Sequence, residues 1–255
     1  MGSRMGSRTV ELAGADVTPE KIYTFGCSYT YGAKIVHQRD QLSPHKQLED
    51  NPSWPEQLSL LLPDTKIIDY SFLGTSLEYS IYQFNRIKSR LTDRDLTIVC
   101  ATTPYRYSHW ADGSLEDPAL RMPISNNYEK YSPDIRHTLI RYHPGWDRAE
   151  GDTPGYKNKN LDKGVYWHRF AQHNTELEAA THSSLLEYIQ DTADLAFTHV
   201  KYQYHTERTE NIPCVENMLG TEQFNSYAHD DGKHFNLEGA KWVAEWVLNQ
   251  IHPDS

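Results

Sequence analysis

The sequence predicts an α/β fold: a doubly wound, mostly parallel sheet with helices on both faces. Two observations carry this. Short apolar runs alternate with segments of helical spacing, the pattern of strand–helix–strand units with right-handed crossovers. The chain has 255 residues, enough for one α/β domain with a full core or for two small domains.

The elements follow in order. Ile22 to Phe25 reads as a short buried strand. It leads into Gly26-Cys27-Ser28-Tyr29-Thr30-Tyr31-Gly32, a glycine-flanked turn. Residues 52 to 62 read as a helix. Ser53 can cap it, Pro55 suits its first turn, and Trp54, Leu58, Leu61 and Leu62 have helical spacing. Residues 66 to 72 form a second strand. Residues 76 to 91 form a second helix with Ser76 as its cap. Residues 96 to 103, Leu-Thr-Ile-Val-Cys-Ala-Thr-Thr, are the clearest buried strand.

Residues 104 to 168 differ. They are rich in Tyr, Trp and Pro and show little periodicity, so they are expected to pack as an aromatic insertion over the sheet edge. Helical spacing resumes over 169 to 196. Residues 198 to 204 are expected to form a fourth strand. The last helix spans 237 to 251, with Asn236 as its cap. Residues 1 to 20 begin with the repeated Met-Gly-Ser-Arg and read as a tag or a disordered tail. Residues 21 to 255 read as a single domain.

Composition narrows the function. The formal net charge is −10 and no basic stretch stands out, which argues against nucleic acid and against an anionic membrane surface. No window approaches the roughly 18 apolar residues of a membrane span. The three cysteines, Cys27, Cys100 and Cys214, are too widely spaced for a disulfide framework or a zinc ribbon, and fit a reducing, cytoplasmic compartment. Cys27 and Cys100 read as small buried residues. His199 and His205 invite a metal reading, but on one strand they would stand roughly 20 Å apart. No metal or cofactor is expected.

The chemistry is expected at the carboxyl ends of the strands, where ligands bind in such sheets. Ser28 follows the first strand, Gly74 the second and Thr103 the third. Before the last helix stands Asp231-Gly232-Lys233-His234. A serine hydrolase needs a histidine to take the serine proton, and an acid to orient the other imidazole nitrogen. Asp-x-x-His can supply both, and its spacing selects Asp231 over Asp230. Taken singly, that loop is a solvated turn; joined to Ser28, it is a candidate active site.

These residues resemble the SGNH, or GDSL-type, hydrolase family. The match is Gly26-Cys27-Ser28 for the first block, Gly74 for the second and Asp231 to His234 for the last, with Trp54-Pro55 before the first long helix. It covers residues 21 to 103 and 198 to 251. The resemblance implies a flavodoxin-like three-layer sandwich and a serine esterase. Ser28 would be the nucleophile, His234 the general base and Asp231 its orienting acid. Gly74 and the Ser28 backbone N–H would stabilise the oxyanion. The substrate would be a small-molecule or glycan ester, with an O-acylated carbohydrate as one candidate. Two departures stand out. Cys27 replaces the family's aspartate, and Thr103 or Thr102 stands where the third block has asparagine; Arg106 is a second candidate for that role. A carbohydrate-binding module without catalysis, or an O-acyltransferase, are the alternatives.

Overall fold

The computed structural model describes residues 18–32, 53–72, 75–102, 107–110, 120–132, 139–142, 175–200, 209–228 and 234–252. Its centre is a six-stranded sheet. Strand β1 (Lys21–Phe25) lies between β2 (Lys66–Asp69) and β3 (Asp95–Ala101), parallel to both. Further out, β6 (Tyr128–Ser132) runs parallel beside β2, and β8 (Leu195–Thr198) parallel beside β3. Strand β5 (Leu120–Pro123) closes one edge, antiparallel to β6. A separate two-stranded sheet pairs β4 (Tyr107–Trp110) with β7 (Leu139–Tyr142).

The strands alternate their side chains between two apolar clusters, so helices cover both faces. Ile22, Ile67, Ile98 and Cys100 face helices α2 (Trp54–Leu61), α5 (Val215–Tyr227) and α6 (Leu237–Ile251). Phe25, Val99 and Ala101 face α3 (Leu77–Lys88) and α4 (Thr175–Thr192). Each fully buried Leu, Ile or Phe contributes about 1.5–3 kcal/mol, so both layers are needed to hold the sheet. The expected three-layer α/β architecture is present.

The helix starts are set by local chemistry. Ser53 accepts from the Glu56 N–H at 3.3 Å, Ser76 from the Tyr79 N–H at 3.4 Å, and Asn236 from the Gly239 N–H at 3.0 Å. Each satisfies an orphan donor of a first turn.

Three readings change. The helix expected over 169 to 196 ends at Thr192, and Leu195–Thr198 is the strand that follows it; of the strand expected over 198 to 204, His199 and Val200 lie past the end of Leu195–Thr198, and 201 to 204 lie outside the described residues. Asp194 turns the chain early: its carboxylate accepts from both the backbone N–H and the hydroxyl of Thr97, at 2.8 Å each, and registers Leu195 against Ile98. The aromatic stretch is not only a cover, because Tyr128–Ser132 enters the main sheet. Its inward residues include Lys130, so its alternation does not read as apolar and polar. Helix α5 has no counterpart in the sequence pattern. Gly220, at φ 73°, interrupts it and breaks the apolar repeat.

Candidate active site

The parallel strands change winding direction between β1 and β3, and the crevice outside their carboxyl ends is the usual ligand site. Ser28 emerges there, just past β1. It opens a single helical turn, α1 (Ser28–Tyr31), with Cys27 at the cap position. Gly32 ends the turn at φ 78°, and its N–H donates to the Ser28 carbonyl at 3.2 Å. A side chain at Gly32 would also meet the Ser53 Cα at 2.8 Å, so only glycine lets the turn lie on the start of α2.

His234 arrives from the other end of the chain. Its Nε2 lies 2.9 Å from the Ser28 Oγ, across a separation of 206 residues. Both side chains are buried, Ser28 at 5% exposure and His234 at 2%. When Ser28 donates, Nε2 accepts and the imidazole proton sits on Nδ1. That is the tautomer a general base needs.

The unexpected helix α5 anchors this histidine. Phe235 forms an antiparallel bridge with Ala228, just past α5. The Asn236 N–H donates to the Tyr227 carbonyl at 2.9 Å, and its side-chain amide to the Ser226 carbonyl at 3.0 Å. Asn236 therefore caps α6 and fastens the histidine segment to α5. Tyr29 backs the imidazole, its ring 4.9 Å from that of His234. His199 stacks on the Tyr29 ring at 4.0 Å and packs edge-on to Phe235 at 4.2 Å. His199 thus sits in the aromatic packing behind the site, just past β8. His205 lies outside the described residues.

Of the remaining expected site residues, Asp231, Gly74, Thr103 and Arg106 also lie outside the described residues. Thr102 is described. It is buried at the end of β3, and its hydroxyl makes no hydrogen bond among the described residues. Buried hydroxyls seldom go without a partner.

The three cysteines are free and buried. Burial pushes the Cys100 thiol well above its ordinary pKa, which makes it a poor nucleophile. Beneath the Ser28 turn lies a charged pair that sequence reasoning missed. Lys130 and Asp69 are both fully buried, with Nζ 3.4 Å from Oδ2. Asp69 lies inside the predicted second strand and Lys130 in the aromatic stretch, and neither position signals that the two would meet.

No described helix is long and apolar enough to cross a membrane. No protein-family model matches the chain, and no curated protein matches it.

Proposed function

We propose that this chain is a serine esterase of the SGNH type. The observation that carries the reading is the 2.9 Å contact between Ser28 Oγ and His234 Nε2 at the switch point of a parallel sheet. A histidine base within hydrogen-bond reach of a serine is the geometry of nucleophilic acyl transfer.

In this mechanism Ser28 Oγ attacks the ester carbonyl carbon while its proton passes to His234 Nε2. The carbonyl π electrons move onto oxygen, and the backbone N–H groups of Ser28 and Gly74 stabilise that oxyanion. Collapse expels the alcohol, which takes the proton from His234. Water, deprotonated by His234, then releases the acid from the acyl-enzyme. Asp231 orients the imidazole. A hydroxyl at the end of β3, from Thr102 or Thr103, supplies the third oxyanion donor, with Arg106 as the other candidate. The buried Thr102 hydroxyl, without a partner among the described residues, favours Thr102.

The substrate is a carboxylic ester, and the aromatic stretch 104–168 suits an O-acylated carbohydrate as its alcohol part. Three free thiols suit a reducing, cytoplasmic setting. The test is turnover of short p-nitrophenyl esters. Ser28→Ala is expected to abolish turnover and leave the melting temperature close to the parent's, because it removes one hydroxyl at a turn. Parent activity in that variant would place the nucleophile elsewhere.

A further inference from the structure

The Ser28 turn is held from below by a polar network that spans three strands. Lys130 Nζ on β6 donates to the Tyr31 carbonyl at 2.7 Å and sits 3.5 Å from the centroid of the Tyr31 ring. Tyr31 is the last residue of the turn that Ser28 opens. The two are three positions apart, so they stack on one face of a helical turn. Asp69, the last residue of β2, supplies the counter-charge. Its Oδ1 accepts from the Thr24 hydroxyl on β1 at 3.0 Å and from the Ser71 N–H at 2.9 Å. Its Oδ2 accepts from the Tyr128 hydroxyl on β6 at 3.1 Å. Tyr128 in turn lies 3.1 Å from Ser53 Oγ, the cap of α2 against which Gly32 packs.

Two charges at 0% exposure are expensive as a stability device. Well-packed apolar residues would often do as well or better. Burial works to lower the Lys130 pKa, and the Asp69 carboxylate opposes it, with Glu56 adding to that opposition. What an apolar pair could not do is grip a backbone carbonyl. The gripped carbonyl belongs to the last residue of the turn that Ser28 opens.

We infer that Lys130 is a positioning residue for the nucleophile: it clamps the Tyr31 carbonyl and fixes the Ser28 turn against His234, with Asp69 holding the ammonium in place. The inference rests on the esterase reading of the same site. It assigns to β6, from a stretch that the hydrolase resemblance does not cover, a part in setting the 2.9 Å Ser28–His234 contact.

The test compares the rate at which a fluorophosphonate labels Ser28, read by peptide mass spectrometry, with kcat and KM on p-nitrophenyl acetate. Lys130→Met alone strands the Asp69 charge and risks misfolding. The decisive variant is therefore Lys130→Met with Asp69→Asn. It removes both charges, while the amide oxygen introduced by Asp69→Asn keeps an acceptor for Thr24 and Ser71. This double variant is expected to melt near the parent temperature and label Ser28 at least about tenfold more slowly. kcat should fall in proportion and KM should hold, because a misplaced nucleophile loses rate rather than binding. Lys130→Arg keeps a cation and an N–H donor, and is expected to recover most of the rate. A folded double variant that labels at the parent rate, or a folded Lys130→Arg as slow as the double variant, overturns the inference. Failure of the esterase reading looks different: the parent itself would leave Ser28 unlabelled.

Discussion

Gly26→Ala is a one-carbon change that bears directly on the Ser28 turn. A Cβ at this position would overlap the Thr30 hydroxyl, lie 2.7 Å from the Thr30 Cβ and 3.2 Å from the Cys100 carbonyl oxygen. Unstrained carbon contacts need about 3.5–4.0 Å, so something must move by about 1 Å. Cys100 belongs to β3, paired on both sides by β1 and β8, and yields least. Thr30 is fully buried within α1, so its side chain has no open space to rotate into. The turn itself is the part that gives, and Ser28 moves with it. Overpacking of this kind costs about 1–3 kcal/mol. In a chain of this size that lowers Tm by about 2–12 °C. The catalytic cost is larger, since misplacing a reacting group by about 1 Å loses roughly 100-fold. Steady-state kinetics on p-nitrophenyl acetate and a thermal melt would read both effects. Adding Thr30→Gly clears the overlap and should restore part of the activity, though glycine in a helical turn costs about 1 kcal/mol of its own. Parent kcat with a lowered Tm would show that the sheet yields instead of the turn. Parent values of both would refute the packing argument.

Asn236→Ala should lower Tm through the lost cap, worth about 0.5–2 kcal/mol, and should lower kcat as well, because Asn236 also ties the His234 segment to α5; unchanged kcat would separate the cap from the site. Thr102→Val should reduce kcat and spare KM if its hydroxyl meets the oxyanion, and should leave kinetics untouched if it does not. Tyr31 and Tyr70 are both pushed up to about 12 by burial, with the Asp69 charge adding to the first. Between pH 10 and that value the unfolded chain gives up phenolic protons that the folded chain keeps. Their contribution to stability is therefore complete below about pH 10 and is lost as pH rises through about 12. Urea midpoints measured across that range should fall, and Tyr31→Phe should flatten the slope.

The fold was legible where local chemistry and packing agree. The last helix shows this best: Asn236 caps it, and Ala240, Val243, Ala244 and Val247 face the core. β3 was legible because every residue from Asp95 to Ala101 is buried and most are apolar. β6 was hidden because its inward positions include a lysine, whose partner Asp69 lies 61 positions earlier and reads as an ordinary strand residue. α5 was hidden because Gly220 takes a positive φ in the middle of it. Of the candidate site, Ser28 and His234 were readable from residue type and position after a strand and before a helix. The features that hold them could not be read in the same way. The Asn236 amide reaches back to α5, the Tyr29 ring packs against two imidazoles, and Lys130 grips the Tyr31 carbonyl. Each depends on contacts between distant segments, and no local pattern encodes them.

The most direct test of whether His234 activates Ser28 is covalent labelling of the whole chain with a fluorophosphonate, followed by peptide mapping. A single adduct on Ser28 is expected, slowed by several orders of magnitude in His234→Ala although that variant stays folded. An untouched Ser28 in the folded parent, or an adduct that forms equally fast without His234, would contradict the assignment.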